Sequence, residues 1–305
     1  MEFLRILEGL RTPFWDSFFS AATWLGSELI FMVLAVALFW CISKTRGLYL
    51  LAVCSSGILV NQFLKLTCRV PRPWVKDPSF TIVESARAGA TGYSFPSCHT
   101  QNAVGAYGAL ARSSTHPWVQ AVLILLTLLV SFSRMYLGVH TPWDVGVSLV
   151  VGTVLIFALW PLFRDLEQHP MRAIKILAVL CALCLGYLAY AAFFPFPADA
   201  DQALLQDGLS NACKLTGAMI GMTLGCLLDV KKVHFKVEAP LVGQILKCVL
   251  GLVLLLAIKE GLKLVLGSGL LAGLVRYGVV TFFAAGLWPM TFPWFATLGR
   301  KEDTK

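Results

Sequence analysis

Charge is what this 305-residue chain has least of. Asp, Glu, Lys and Arg together supply 14% of the residues, against 57% from hydrophobic types, and the mean hydropathy is +0.74. A soluble domain of this length needs far more polar surface to cover itself, which excludes that class. Apolar runs are long rather than short and alternating, which excludes a transmembrane barrel. The nine cysteines make an odd count, and most lie inside apolar runs: Cys41, Cys54, Cys181, Cys184, Cys226 and Cys248. They outline neither a disulfide framework nor a zinc site. The Cys181-Ala-Leu-Cys184 spacing falls in a hydrophobic helix and reads as two small apolar side chains. The pattern of a nucleic-acid module is missing, and the formal charge of +8 fits Lys and Arg collecting in cytoplasmic loops. Also missing are a repeat of about 20–50 residues, a low-complexity linker and the clustered carboxylates that hold Mg²⁺ or Mn²⁺. The first residues do not have the form of a cleavable signal, because Glu2, Arg5, Glu8 and Arg11 interrupt the apolar ones.

What is present is a polytopic, all-α transmembrane bundle. A span needs about 20 mostly apolar residues, and nine segments are expected to meet that need: 24–43, 48–66, 98–112, 117–133, 143–163, 173–193, 210–228, 241–263 and 270–290. Residues 1–20, with Phe3, Leu4, Leu7 and Leu10 at helical spacing and Pro13 interrupting, are expected to form an amphipathic helix at the interface. The chain is treated as one integral membrane domain, 1–305, with a core at 48–163 and further C-terminal spans at 173–290. Gly217, Gly221 and Gly225 form a small-residue face for helix packing.

Nine spans place the termini on opposite sides. Lys44 and Arg46, Arg112, Arg164, Arg172 and Lys175, Lys231, Lys232 and Lys236, and the terminal Arg300, Lys301 and Lys305 fall on one side. The opposite side includes 193–208, with Asp199, Asp201 and Asp207 and no base. The excess of Lys and Arg places the first set in the cytoplasm and the N-terminus outside. One outer loop breaks the pattern: residues 65–98 carry Lys65, Arg69, Arg72, Lys76 and Arg87. Cations kept on the outer face against the orientation signal suggest an anion to be bound there.

Three pieces of sequence meet on that face. In Lys65 to Pro73, KLTCRVPRP, prolines flank Arg72 and stiffen the loop; an ammonium and a guanidinium suit a phosphate. In Phe95 to His99, FPSCH, a helix starts at Ser97 and offers free backbone N–H groups. In Ser133 to Asp144, SRMYLGVHTPWD, Arg134 ends one span, Thr141 and Pro142 open the next, and Asp144 lies four residues after His140. Each piece alone admits a plainer reading, as snorkelling cations, a helix cap or a polar turn; three on one face make the plainer readings poor.

A mechanism follows from the residue types. Lys65, Arg72 and Arg134 neutralise a phosphate, and the Ser97 hydroxyl with the Ser97 and Cys98 N–H groups adds hydrogen bonds. Asp144 fixes the tautomer of His140, whose other nitrogen attacks phosphorus. His99 protonates the leaving oxygen and then activates water. No metal or other cofactor is needed in this scheme.

These residues resemble the type 2 phosphatidic acid phosphatase family, which is related in its site to vanadium haloperoxidases and glucose-6-phosphatase. The family pattern K-x6-RP, PSGH, SR-x5-H-x3-D reads here as Lys65 to Arg72-Pro73, Pro96-Ser97-Cys98-His99, and Ser133-Arg134 to His140 to Asp144, in order and with matching spacing. The resemblance implies a haloperoxidase-like phosphatase core and a metal-independent phosphatase working through a phosphohistidine. His140 is its implied nucleophile, Asp144 the orienting partner, His99 the acid and base, and Lys65, Arg72, Ser97 and Arg134 the phosphate ligands. The usual Gly of PSGH is Cys98, which is expected to be an ordinary first-turn residue whose N–H still serves the phosphate. The nine-span, N-outside layout is similar to glucose-6-phosphatase and the sphingosine-phosphate phosphatases, and the implied site is extracytoplasmic.

The expected substrate is a lipid phosphate or pyrophosphate drawn from the membrane: undecaprenyl diphosphate, phosphatidic acid, phosphatidylglycerophosphate or a sphingoid phosphate. The alternatives are a phosphotransferase to a lipid or sugar hydroxyl, a phosphatase of a soluble sugar phosphate, and a binding or transport protein keeping a phosphate site. Inside the spans, Asn61 shares a helix face with Lys65, and Glu260 is expected to pair with Arg276.

Overall fold

A computed structural model describes residues 1–298, and within them the chain is helical without a strand. The terminal Arg300, Lys301 and Lys305 of the orientation argument lie outside the described residues. The helices are α1 (Glu2–Gly9), α2 (Pro13–Trp24), α3 (Glu28–Ala37), α4 (Lys44–Cys68), α5 (Pro73–Lys76), α6 (Cys98–Ala103), α7 (Ala109–Ser113), α8 (Pro117–Tyr136), α9 (Pro142–Phe163), α10 (Pro170–Phe193), α11 (Gln202–Leu228), α12 (Leu241–Leu266), α13 (Leu270–Phe282) and α14 (Phe292–Phe295). By length and composition, seven segments can cross a membrane: those built on α4 and on α8 to α13. An eighth candidate is the pair α2 and α3, bent by 42° at a short break. The chain is a multi-pass membrane protein.

The segment expected at 98–112 is not among these long, apolar candidates. It is α6 and α7 joined by a π turn at Val104–Gly108, shorter than the roughly 20 residues a bilayer requires. Thr100 through Tyr107 are all buried. Protein rather than lipid surrounds this helix, which is how it tolerates Thr100, Gln101 and Asn102. The Asn102 amide donates to Gly26 O (3.3 Å) and the Tyr107 hydroxyl to Leu25 O (2.7 Å), which ties the buried helix to the break between α2 and α3.

Two compact units share the chain. The first comprises Met1–Met32, Leu50–Trp160 and Phe194–Gly208. In it α2 and α6 pack on α8. The expected interfacial helix is two helices, because Thr12 caps α2 through its side chain (3.4 Å from Trp15 N) and Pro13 takes the first turn. Leu4 and Leu7 are buried, and Phe3, Ile6 and Leu10 are exposed.

The second unit comprises Val33–Tyr49, Pro161–Phe193 and the described residues from Leu209 onward. Its small-residue face packs as expected: a Cβ on Gly217 would lie 2.0 Å from Leu274 O, and one on Gly221 1.9 Å from Gly278 O, so α11 and α13 touch backbone to backbone. Trp40 donates to Ala284 O (2.8 Å) inside an aromatic cluster with Trp288 and Phe292. Lys44 and Asp229 form an ion pair at 2.6 Å. The expected Glu260 and Arg276 pair is not formed: Glu260 pairs with its neighbour Lys259 (3.2 Å), and Arg276 donates to Gly267 O (3.3 Å), an acceptor left free at the end of α12.

Candidate active site

All the residues singled out from the three motifs belong to the first unit. Lys65 sits in the last turn of α4. The helix ends at Arg69, whose φ of +47° turns the chain. The following loop returns when Ser94 N donates to Val70 O (2.8 Å), and it brings the carbonyls of residues 91–94 over the motif cations. Lys65 Nζ donates to Tyr93 O and to Ser94 O (3.5 Å). Arg72, fixed as the residue before Pro73, donates from Nε to Gly92 O (3.1 Å) and from Nη2 to Thr91 O (2.5 Å). Both cations are nearly fully buried, so these carbonyls replace the water they have lost.

Arg72 also reaches the third motif. Its Nη1 donates to Val139 O (3.0 Å) and lies 2.9 Å from His140 Nε2. A guanidinium can only donate, so Nε2 carries the lone pair and Nδ1 the proton. That proton faces Asp144 Oδ2 at 3.3 Å. Asp144 is held in turn by the Ser94 hydroxyl (2.6 Å) and Thr141 N (2.8 Å), while Thr141 Oγ1 accepts from Asp144 N (3.3 Å) in a reciprocal helix cap. The expected tautomer of His140 is thus the one its surroundings impose. Burial first, then Arg72, Arg134 and Lys65, keeps the His140 pKa well below the ordinary histidine value, so the ring is neutral.

Ser97 caps α6, accepting from Thr100 N (3.4 Å), and its own N–H donates to Asp144 O (3.0 Å). That N–H is therefore spent on joining the second motif to the third. Cys98 opens α6, and the only non-glycine residues with positive φ among those described are Arg69 and His234. The Cys98 backbone needs nothing that only glycine provides. His99 is half-buried beside the loop at Gly89, and no group among the described residues hydrogen-bonds its ring. Arg134, 1% exposed, spends Nη1 on Thr23 Oγ1 (2.7 Å) and leaves Nε and Nη2 buried without a partner. A buried cation with two unmet N–H groups is costly unless an anion completes it.

Sequence reasoning missed several contributors. Ser94, Thr23 and the carbonyls of residues 91–94 carry no motif of their own and are recruited by folding across long stretches of chain. Of the five basic residues between 65 and 98, Lys65 and Arg72 join the site. Arg87 pairs with Glu84 at the surface (2.7 Å), and Arg69 donates to Leu66 O (3.1 Å). Asn61 is buried, and neither of its side-chain polar atoms has a partner. No group of three or more His, Cys, Asp or Glu that could hold a metal ion occurs among the described residues.

A neutral, carboxylate-backed imidazole among three buried cations, carried on helices that cross a bilayer, defines a membrane enzyme built to handle phosphate. Comparison with known proteins gives the family. The chain belongs to the PAP2 superfamily: residues 46–168 match the PAP2 superfamily, and residues 213–300 match the transmembrane extension of PAP2 superfamily phosphatases. A probable sphingosine-1-phosphate phosphatase of Dictyostelium discoideum is 27% identical over 293 residues, covering 91% of this chain and 69% of that protein. A lipid A 4'-phosphatase of Bacteroides thetaiotaomicron is 28% identical over 164 residues, covering 50% of this chain and 71% of that protein. The undecaprenyl-diphosphatase BcrC of Bacillus subtilis is 33% identical over 125 residues, covering 41% of this chain and 61% of that protein. No solved structure is a significant match.

Proposed function

We propose that this PAP2 phosphatase hydrolyses a lipid phosphate or lipid pyrophosphate through a phosphohistidine on His140, without a metal ion. The observation that carries the reading is the placement of His140, with Nδ1–H on Asp144 and the Nε2 lone pair facing Arg72 Nη1 at 2.9 Å. When a phosphate enters, Arg72 Nη1 exchanges that lone pair for a phosphoryl oxygen and frees Nε2. Arg134 completes its unmet N–H groups on the same anion, and Lys65 and the start of α6 add charge and hydrogen bonds. His99 is held neutral in the empty site by burial and then by Arg134, with its pKa lowered to about 3. It takes up a proton with the incoming phosphate, and as His140 Nε2 bonds phosphorus and the bond to the leaving oxygen breaks, it passes that proton to the leaving oxygen. Water then attacks phosphorus, yields a proton to His99 and breaks the P–N bond. Phosphate leaves with the proton that His99 holds, and both histidines return to their neutral forms.

The lipid substrate class is supported by the named relatives, which act on lipid-borne phosphates, and by a site framed by membrane spans. The residues of the core at 48–163 carry all of the proposed chemistry, and the spans at 173–290 extend it. With the short buried segment at 98–112 counted as a crossing, the distribution of Lys and Arg supports an extracytoplasmic site with the N-terminus outside and the C-terminus cytoplasmic. The test is inorganic phosphate release by the detergent-purified protein in EDTA, from a panel of lipid mono- and diphosphates and glucose-6-phosphate. His140→Ala and His99→Ala serve as controls. Release from lipid substrates that survives EDTA and is lost in both variants is the expected result. Release that needs a metal, or that persists in His140→Ala, refutes the mechanism.

A further inference from the structure

The turn that presents His140 is braced from a part of the chain that no motif includes. Its carbonyls are occupied almost one after another. Leu137 O accepts from Val83 N (3.1 Å) and Val139 O from Arg72 Nη1 (3.0 Å). Tyr136 O, at the end of α8, accepts from Arg11 Nε (3.1 Å). Arg11 comes from the link between α1 and α2. Its Nη1 also donates to Thr81 O (2.9 Å), so one guanidinium joins the end of α8 to the loop that follows Arg72. Gly138 lies directly under it: φ is +80°, and a Cβ there would stand 2.6 Å from Arg11 Nη2 and 3.0 Å from Phe80 Cε1. Phe80 is buried in a cluster with Tyr136, Leu137 and Val139, and both Arg5 and Arg11 stand over its ring, at 5.3 and 5.4 Å.

Other contacts close the same joint. Arg5 pairs with Asp77 (2.6 Å), Glu8 Oε1 accepts from Thr81 N (2.8 Å), and the Tyr136 hydroxyl donates to Asp16 (2.9 Å). The N-terminal helices therefore grip both the loop at 77–81 and the turn at 136–139. Arg11 is the residue within that grip that touches the two at once. Its position at the C-terminal end of α8 also suits a cation, because the last carbonyls of a helix are unmet and carry partial negative charge.

We propose that Arg11 is a positioning residue for the phosphatase reaction: by tying Tyr136 O to Thr81 O across Gly138, it sets the turn that aims His140 Nε2 at phosphorus. This rests on His140 being the nucleophile, as proposed above. Arg11 is not placed in contact with substrate, so its loss acts on the geometry of attack rather than on binding. Misplacing a reacting group by about 1 Å costs on the order of a hundredfold in rate.

The experiment compares wild type, Arg11→Gln, Arg11→Lys and Glu8→Gln in the same detergent. It measures kcat, KM, the rate of phosphoenzyme labelling and thermal stability, all per folded enzyme. Expected for Arg11→Gln is a roughly ten- to hundredfold fall in kcat and labelling rate with KM changed less than about threefold. Arg11→Lys keeps the charge and loses the fork, and recovers part of kcat. Glu8→Gln, which loosens the grip without touching the turn, keeps kcat within about threefold. Wild-type kcat and labelling in Arg11→Gln overturn the inference, as does a loss confined to stability. Should Arg11→Gln not fold, Arg11→Lys decides: lowered kcat at unchanged KM supports the proposal, and wild-type kcat ends it. A wild-type enzyme that turns over without label on His140 would instead overturn the nucleophile reading beneath it.

Discussion

Replacing Asp144 by Asn tests how much of catalysis comes from the carboxylate behind His140. When Nε2 takes the phosphoryl group, the ring becomes cationic while Nδ1 keeps its proton, and Asp144 Oδ2 lies 3.3 Å away with both side chains buried. Two unit charges at that distance and an effective dielectric near 20 attract by about 5 kcal/mol. Asn keeps the shape and a carbonyl dipole, and Ser94 and Thr141 N still hold the group, so part of this survives. A loss of about 3–4 kcal/mol remains, which is on the order of 10²–10³ in kcat. The substitution does not touch the phosphate ligands, so KM should move little. The assay is steady-state phosphate release together with single-turnover labelling, which reports formation of the charged intermediate directly. An Asp144→Asn enzyme that turns over within about threefold of wild type would refute the assignment of Asp144 as the group that stabilises the phosphorylated ring. A loss appearing only in KM would refute it equally.

Three further outcomes follow from the same geometry. Ser94→Ala removes one of the bonds that hold Asp144 and should lower kcat about tenfold, less than Asp144→Asn, at unchanged KM. Arg134→Met removes a buried cation with two unmet N–H groups, so it should leave or raise thermal stability in the empty enzyme while reducing vanadate or phosphate binding at least about a hundredfold, read by calorimetry and inhibition. His140 is kept neutral by burial and then by Arg72, so the phosphoenzyme formation rate should hold as pH falls from about 8 through about 6.5, the ordinary histidine value. Arg72→Met lifts the second of those constraints, and its acid limb should move to higher pH; quenched-flow labelling across this range measures both.

The sequence and the structure agree best where spacing alone sets geometry. His140 and Asp144 are four residues apart across a helix start announced by Thr141 and Pro142, and a reciprocal cap at that spacing leaves the carboxylate beside the ring. Gly217, Gly221 and Gly225 likewise predict a close helix contact, because a repeat of four lines one face of α11. Agreement weakens where the environment decides. Hydropathy counts the segment 98–112 as a candidate span, whereas residues 100–107 are buried in protein and need no apolar coat. Thr23, Ser94 and Arg11 are invisible for a different reason: each acts through contacts to residues 50 to 125 positions away, and nothing local distinguishes them from ordinary loop and helix residues. The expected partner of Arg276 fails similarly, because a carbonyl at the end of α12 was as available as the Glu260 carboxylate.

The claim on which the account stands is that His140 carries the phosphoryl group. The direct measurement is to mix the purified enzyme with a labelled phosphate ester of good leaving group, quench in base, and map the label by mass spectrometry in wild type, His99→Ala and His140→Ala. With a leaving group that needs no proton, His99→Ala should still be phosphorylated but lose its activation of water. The account therefore predicts base-stable, acid-labile phosphate on His140, more abundant in His99→Ala than in wild type and absent from His140→Ala. Label on another residue, or turnover by His140→Ala at the wild-type rate, would contradict it.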